Sequence, residues 1–414
     1  MDTKTLRCGL LGRKLGHSYS PAIHERLADY SYRLFEVEPE DLGAFLQEGA
    51  FDGLNVTIPY KKDVIPYCAE LSDTARAIGA VNTLVRRADG TLWGDNTDAY
   101  GFSMLVQSSG ADVAGKKALV FGSGGASATA QYVLRQLGAR EVVVISRHGE
   151  DNYENLDRHA DAQIAVNTTP VGMYPNTGVS PVDLHRLPRL EAALDVVYNP
   201  ARTEFLLQAE ARGLRRANGL LMLAAQAKKS CEDFTGEPVD DAKIFSITKA
   251  LEAQMHNVIL IGMPGSGKTT IGTLVAKRLG RTFVDADSAL EREAGMTIPE
   301  IFRLEGEAGF RRRETAVLAE LGRQSGLVLA TGGGSVTREE NYPLLHQNGE
   351  IFCLQRALER LPSAGRPVSQ ALGAQTIYAQ RKPLYARFAD AMIDNNGTPE
   401  AAAAQILEVL GCSC

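Results

Sequence analysis

Apolar and polar stretches alternate along this chain in the manner of an α/β protein. Short β-branched or aliphatic runs are each closed by glycine, proline, asparagine or aspartate, and segments with apolar residues at helical spacing lie between them. Strands are predicted at residues 7–11, 54–58, 117–121, 142–145, 258–261 and 282–287, and strand ends at 166–173, 194–200 and 327–334. The run at 117–121 is followed by Gly122-Ser-Gly-Gly-Ala-Ser127, a helix with Ala130, Val133, Leu134 and Leu137 on one face, and the strand at 142–145. That is a nucleotide-binding βαβ unit, with Ser127 where G-x-G-x-x-G has its third glycine. The run at 258–261 precedes Gly262-Met-Pro-Gly-Ser-Gly-Lys-Thr269 and a helix with Ile271, Leu274, Val275 and Leu279 on one face. Here G-x-x-x-x-G-K-S/T is complete, and both flanks are those a phosphate cradle needs. This second cradle lies well past the middle of the chain, so a complete domain should precede it.

The polar residues at the strand ends suggest the chemistry. In the second cradle Lys268 can reach the β- and γ-phosphates and the Thr269 hydroxyl can hold Mg²⁺. Asp285 and Asp287 close the strand at 282–287, where alternate spacing turns both carboxylates to one side. Gly309-Phe-Arg-Arg-Arg-Glu314 concentrates positive charge, and Gly332-Gly-Gly334 lets backbone approach a ligand. In the first half, Ser20 reads as a helix cap ahead of Pro21, with Ser18 a spare hydroxyl beside it, an entrance suited to a carboxylate. Lys61 stands just past the strand at 54–58, and Gly79-Ala-Val-Asn-Thr83 and Gly94-Asp-Asn-Thr-Asp98 are further polar clusters at strand ends. After the second strand of the first βαβ unit stand Ser146 and Arg147 rather than an acid, which favours a ribose 2′-phosphate. Gln226 interrupts the apolar face of a helix opening at Gly219, and Thr398-Pro399 reads as a cap with proline in the first turn.

Composition narrows the class. The 414 residues suggest two or three domains, and 44% hydrophobic with 23% charged residues is ordinary globular content. A net charge of −6 gives no global basic field for nucleic acid. No long apolar run predicts a membrane span, and no secretory leader is evident. Six scattered cysteines read as reduced core thiols, and the seven histidines form no zinc pattern. A cytoplasmic protein, monomeric or homodimeric, is expected, with small-molecule substrates and neither nucleic acid nor membrane as partner. A polar stretch at 234–256 ends in what reads as a short polar helix.

Residues 6 to about 250 resemble shikimate dehydrogenase. The blocks that carry the likeness are His-Ser-Tyr-Ser-Pro at 17–21, Asn-Val-Thr-Ile-Pro-Tyr-Lys at 55–61, the clusters at 79–83 and 94–98, and the glycine loop at 122–127. Asp-Val-Val-Tyr-Asn-Pro at 195–200 and the helix start at 219–226 complete the set. Residues 257 to about 411 resemble shikimate kinase through the P-loop, Asp-Ala-Asp, Phe-Arg-Arg, Gly-Gly-Gly, Arg-Pro and Arg-x-Pro-Leu-Tyr in order. The resemblance implies an α/β fusion. Its parts would be a substrate-binding domain at 1–100 completed by helices at about 225–250, a Rossmann NADP-binding domain at 101–224, a short linker at 251–257, and a P-loop kinase domain with a parallel five-stranded sheet at 258–414.

The implied reactions are NADPH-dependent reduction of 3-dehydroshikimate and ATP-dependent phosphorylation of shikimate at its 3-hydroxyl, with Mg²⁺. The alternatives are a quinate/shikimate dehydrogenase using NAD fused to another small-molecule kinase, or one half that binds nucleotide without turnover. By motif match Lys61 and Asp98 are the proton-transfer pair of the dehydrogenase. Ser18 and Ser20 would bind the substrate carboxylate, with Asn55, Thr57, Asn82, Tyr198 and Gln226 on the ring and its hydroxyls. NADP would meet Gly122, Ser123, Gly124, Gly125, Ala126, Ser127, Ser146, Arg147 and Gly219. In the kinase half ATP would meet Gly265, Ser266, Gly267, Lys268, Thr269, Thr270 and Arg366, and Mg²⁺ would meet Thr269 and Asp285. Asp287, Arg311, Gly333 and Arg381 would bind shikimate, with Asp287 accepting the hydroxyl proton and Lys268 and Arg366 steadying the transferred phosphoryl group.

Overall fold

The computed structural model describes residues 6–16, 18–49, 51–361 and 373–411. The chain divides into two compact units. The first takes in the described residues up to Met173 together with Val179–Tyr198 and Phe205–Ala250. The second takes in Tyr174–Gly178, Asn199–Glu204 and the described residues from Leu251 onward.

Among the described residues the first unit holds two sheets. One comprises β1 (Arg7–Gly12), β2 (Ser31–Glu36), β3 (Gly53–Val56), β4 (Cys68–Leu71), β5 (Thr83–Arg86) and β6 (Leu92–Asp95), in the order β2-β1-β3-β5-β6-β4. β1 and β3 are parallel, and β5 runs antiparallel to both β3 and β6. The carboxyl ends of β1, β3 and β6 and the start of β5 therefore meet along one edge, the edge that carries the polar clusters. The other sheet is parallel and comprises β7 (Lys117–Phe121), β8 (Glu141–Ile145), β9 (Ile164–Asn167), β10 (Ala192–Asp195) and β11 (Arg215–Ala217), in the order β11-β10-β9-β7-β8. β7 is buried at every position, as a central parallel strand must be. Ala118 and Val120 pack with Phe102, Leu105, Val133 and Leu134 on one face, and Leu119 and Phe121 with Leu156, Leu184 and Phe205 on the other. Each large aliphatic side chain so buried contributes about 1.5–3 kcal/mol.

The second unit repeats this logic. Its parallel sheet comprises β12 (Asn257–Ile261), β13 (Phe283–Asp285), β14 (Val328–Ala330), β15 (Gly349–Gln355) and β16 (Ala391–Asp394), in the order β13-β14-β12-β15-β16. Val258 and Leu260 pack on one face with Ile271 and Val275, and Ile259 and Ile261 on the other with Leu318 and Phe310. The fold class expected from the sequence is thus present in both units.

Several local expectations change. The strand expected at 54–58 ends at Val56, because Thr57 closes a turn: its carbonyl accepts the Tyr60 N–H at 3.0 Å. The strand expected through Asp287 stops at Asp285. The Asp285 side chain accepts the N–H groups of Asp287 and Ser288 at 3.1 and 3.2 Å, so it caps the helix Ala286–Ala294. The two carboxylates therefore belong to a cap and a first turn rather than to one strand face. Ser20 is not the cap of its helix but its first residue. Ser18 Oγ accepts the Ser20 N–H at 3.2 Å, and no cap bond holds the Ser20 hydroxyl. The helix expected to be short and polar spans Ala242–Met255 and carries a buried stripe of Ile244, Ile247, Leu251 and Met255. Residues 251–255 are its last turn, and β12 begins at Asn257. Thr398 does cap its helix, accepting the Ala401 N–H at 3.2 Å. No helix among the described residues is long and apolar enough to cross a membrane.

Candidate active sites

The first site is a cavity of about 290 Å³ at the polar edge of the first sheet. Ser18 reaches it from the loop after β1 and Ser20 from the first turn of the helix that follows, Asn55, Thr57 and Lys61 from the end of β3, Asn82 from just before β5, and Asp98 from just after β6. Tyr198, Gly219 and Gln226 close it from β10 and the helix Leu220–Thr235. Every substrate-binding residue expected of the first half therefore lines one cavity. At its wall Lys61 Nζ donates to Asp98 Oδ2 at 2.5 Å, with side chains 24% and 13% exposed. Asp98 opens the helix Asp98–Ser109, where the positive end of the helix favours its carboxylate.

Asn55 and Asn82 are tied into a buried polar network whose other members, Tyr32, Thr83, Thr97 and Ser230, were not expected at the site. Asn55 Nδ2 donates to Ser230 Oγ at 2.7 Å, and Asn55 Oδ1 accepts the Tyr32 hydroxyl at 2.8 Å. Asn82 Oδ1 accepts the Thr97 N–H at 2.7 Å, and the Thr83, Thr97 and Ser230 hydroxyls lie 2.9–3.2 Å from one another. These bonds fix the two asparagine amides. The signal for Ser230 was present, since it stands one helical turn beyond Gln226, whose carbonyl it meets at 2.9 Å. A deeper charge pair was equally hidden: Asp233, 2.7 Å from Lys229, has its carboxyl pushed up to about 6 by burial and by the neighbouring Asp95.

The glycine loop after β7 fits a pyrophosphate. Gly122 has φ +107°, and a methyl group there would stand 2.9 Å from Thr168 Oγ1. A methyl group at Gly124 would meet nothing within 4 Å, so open space fronts the loop, and one at Gly125 would lie 4.0 Å from Lys61 Cδ. The cradle and the Lys61–Asp98 pair are thus adjacent. Ser123 and Ala126 lie within the same loop and turn, and Gly219 caps the helix Leu220–Thr235. Ser127 is fully buried and its hydroxyl accepts from Gln131 at 3.2 Å, so it serves helix packing rather than the open face. Ser146 and Arg147 follow β8 as expected, with Arg147 exposed.

The second site is a cleft of about 610 Å³ at the carboxyl edge of the third sheet. Gly265, Gly267, Lys268, Thr269 and Thr270 form its floor. Lys268 Nζ rests on the carbonyls of Gly262 and Met263 at 3.0 and 3.2 Å, and Gly265 and Gly267 take φ of +84° and +95°. Ser266 does not face the cleft: it is fully buried, its N–H donates to Met263 O at 3.0 Å, and its hydroxyl has no partner. Thr269 Oγ1 donates to Asp285 Oδ2 at 3.0 Å. No cluster of three metal-binding side chains occurs among the described residues. One hydroxyl and one carboxylate suit Mg²⁺, which keeps most of its water and takes the rest of its ligands from phosphate.

Asp287, Arg311, Gly333 and Arg381 meet across the cleft from that floor. Burial, then Asp285 and Glu314, push the Asp287 carboxyl up to about 6. Arg311, 11% exposed, donates to Glu314 Oε2 at 2.7 Å, and burial raises the Glu314 carboxyl against that guanidinium. Gly333 O accepts Arg381 Nη1 at 2.9 Å and the Tyr385 hydroxyl at 2.6 Å. A methyl group at Gly334 would stand 2.3 Å from Arg311 Nη2, so the glycine run is what lets the guanidinium lie against the chain. Glu314 and Tyr385 were not singled out from sequence, although each lies one helical turn from an arginine that was. Arg366 lies outside the described residues.

Comparison with known proteins matches two separate stretches of the chain. A family model described as the shikimate dehydrogenase substrate binding domain matches residues 10–84, and one described as shikimate kinase matches residues 264–411. A shikimate dehydrogenase (NADP(+)) of Clostridium perfringens is 36% identical over 267 residues, covering 59% of this chain and 98% of its own. A solved chorismate mutase/shikimate 5-dehydrogenase fusion protein from Clostridium acetobutylicum is 35% identical with a TM-score of 0.57, covering 60% of this chain and 98% of its own. Shikimate 5-dehydrogenase of Thermus thermophilus, solved with NADP(H) and shikimate, is 33% identical with a TM-score of 0.54, covering 59% and 99%.

Proposed function

Because this chain belongs to the shikimate dehydrogenase family and carries a shikimate kinase domain after that region, we propose residue roles for two consecutive reactions on one ring acid. It is a bifunctional enzyme of the shikimate pathway, reducing 3-dehydroshikimate with NADPH and phosphorylating the shikimate formed with Mg-ATP. When bound, NADPH supplies the hydride, ATP the phosphoryl group and Mg²⁺ charge neutralisation.

In the first site Ser18 and Ser20 hold the substrate carboxylate, and Asn55, Thr57, Asn82, Tyr198 and Gln226 orient the ring. As the carbonyl oxygen gains negative charge, the Lys61 ammonium gives it a proton. Asp98 keeps that ammonium charged and aimed until then. Arg147, with Ser146 beside it, takes the ribose 2′-phosphate and sets the preference for NADP. The observation that carries this reading is the 2.5 Å Lys61–Asp98 pair in the wall of a cavity lined by every one of the expected substrate contacts.

In the second site Lys268 and the P-loop N–H groups would hold the phosphates, and Thr269 and Asp285 would hold Mg²⁺, which would neutralise charge on them. Arg311 and Arg381 grip the shikimate carboxylate against Gly333, and Asp287 accepts the proton of the attacking hydroxyl. Cys8, Cys231 and Cys353 are buried free thiols, which supports the reading of a protein that works in a reducing compartment.

The test supplies purified protein with 3-dehydroshikimate, NADPH and Mg-ATP and follows products by mass spectrometry. Shikimate 3-phosphate is expected, and shikimate alone when ATP is withheld. Absence of shikimate under both conditions would refute the first assignment, and accumulation of shikimate with ATP present would refute the second.

A further inference from the structure

Three described arginines line the kinase cleft, and two of them are held by the protein. Arg311 is paired with Glu314 at 2.7 Å and Glu307 at 3.4 Å, and Arg381 is bonded to Gly333 O at 2.9 Å. The third is Arg356. Its Nε is enclosed without a hydrogen-bond partner, and no carboxylate among the described residues pairs with it. An arginine in the cleft wall with its Nε enclosed and unbonded and no carboxylate beside it points to an anion that arrives from outside.

Its position says which anion. Arg356 follows β15, whose Cys353 is in register with Ile261 at the end of β12. A methyl group at Gly262 would stand 2.8 Å from Leu354 O, so β15 runs directly beside the first residue of the P-loop. A methyl group at Gly267, the glycine before Lys268, would lie 3.9 Å from Arg356 Nη1 and 2.9 Å from Asn395 Nδ2. Asn395 itself, just past β16, donates to the Ser266 carbonyl and braces the loop from that side. Asp285, Asp287 and Gly333 follow β13 and β14, on the opposite side of β12. Arg356 therefore stands over the phosphate loop on the side away from the acceptor groups.

We propose that Arg356 is a second phosphate-binding cation beside Lys268, gripping the nucleotide polyphosphate from the β15 side and leaving the acceptor untouched. A guanidinium presents a fork to two phosphate oxygens, which the Lys268 ammonium cannot do. The inference rests on the kinase reading of this cleft.

The test measures calorimetric binding of MgADP, and of magnesium tripolyphosphate as a probe lacking base and ribose, to the full chain and to Arg356→Ala and Arg356→Gln. The glutamine variant keeps bulk and a donor without charge, so a folding defect in the alanine variant does not decide the outcome. Loss of a charge-assisted pair should weaken both ligands about tenfold to a hundredfold. NADPH-dependent reduction and the KM for shikimate should stay within about twofold of wild type, as expected for a contact made to nucleotide alone. Binding of MgADP unchanged in Arg356→Gln would overturn the proposal, as would a loss seen with MgADP but not with tripolyphosphate. If the unaltered protein, active as a dehydrogenase, bound neither ligand, the kinase reading itself would fall and this inference with it.

Discussion

Gly219→Ala separates two effects that usually travel together. Gly219 has φ −74° and ψ 0°, a conformation alanine adopts freely, so backbone freedom is not why glycine stands there. On propensity alone the change should stabilise by about 0.4–1 kcal/mol. The added methyl group, however, would stand 2.0 Å from Val196 O and 2.6 Å from Val196 C, both backbone atoms that no rotamer change can move. Even a 3.0 Å contact requires the segment after β10 and the start of the helix Leu220–Thr235 to part by about 1 Å. Gly219 N–H is also bonded to Val197 O at 3.1 Å, and parting strains that bond. Overpacking of this kind costs about 1–3 kcal/mol, so the net change is destabilising. Val196, Tyr198, Gly219 and Met222 all line the first cavity, so the displacement reaches the substrate. A 1 Å misplacement lowers turnover by about 10²-fold. The assay is steady-state NADPH oxidation with 3-dehydroshikimate, with shikimate phosphorylation by the same preparation as the internal control. A variant that kept reduction within about threefold of wild type, or melted higher, would refute the steric argument.

Lys61→Ala should lower the dehydrogenase kcat by about 10²–10⁴-fold with a much smaller change in KM and no change in kinase rate, and an unaltered kcat would remove Lys61 from proton transfer. Arg311→Ala strips the hydrogen-bonded cation from Glu314, whose side chain is only 3% exposed, and should abolish phosphorylation while destabilising the second unit by about 1–3 kcal/mol, Arg381 and Arg338 still favouring the carboxylate. Adding Glu314→Ala should restore most of that stability and none of the activity, so a double variant as unstable as the single one would refute the uncompensated-charge explanation. The folded-state carboxyl of Asp233 lies at about 6, above its ordinary value of 3.8, so the native state binds the extra proton between the two. Stability from this group is therefore full at low pH and is lost as pH rises through about 6. Thermal melts should show Asp233→Asn gaining on wild type between about pH 4 and pH 6 and holding that gain above, and a difference independent of pH would exclude the shift. Chelation of Mg²⁺ should stop phosphorylation and leave NADPH oxidation intact, and loss of both rates would contradict the separation of the two sites.

The division of labour between sequence and tertiary structure follows physical range. Local pattern determined both nucleotide cradles. Gly122-Ser-Gly-Gly and Gly262 to Thr269 each sit between a strand buried at every position and an amphipathic helix, and that signal is complete within a few residues. Ordered motifs likewise marked Ser18, Lys61, Asn82 and Asp98, although nothing local says that they converge. Only the sheet order, with β5 antiparallel between β3 and β6, brings those ends to one edge. Where a residue's role depends on a partner far along the chain, no local signal names that partner. Ser230 completes the Asn55 and Thr83 network from 175 and 147 positions away. The cap was misplaced at Ser20 and the strand carried too far at Asp285 and Asp287, because which side chain meets the free N–H groups depends on how the preceding strand delivers the chain. Arg356 was invisible for the converse reason: an arginine after a strand is ordinary, and only packing beside the P-loop shows that no carboxylate among the described residues pairs with it.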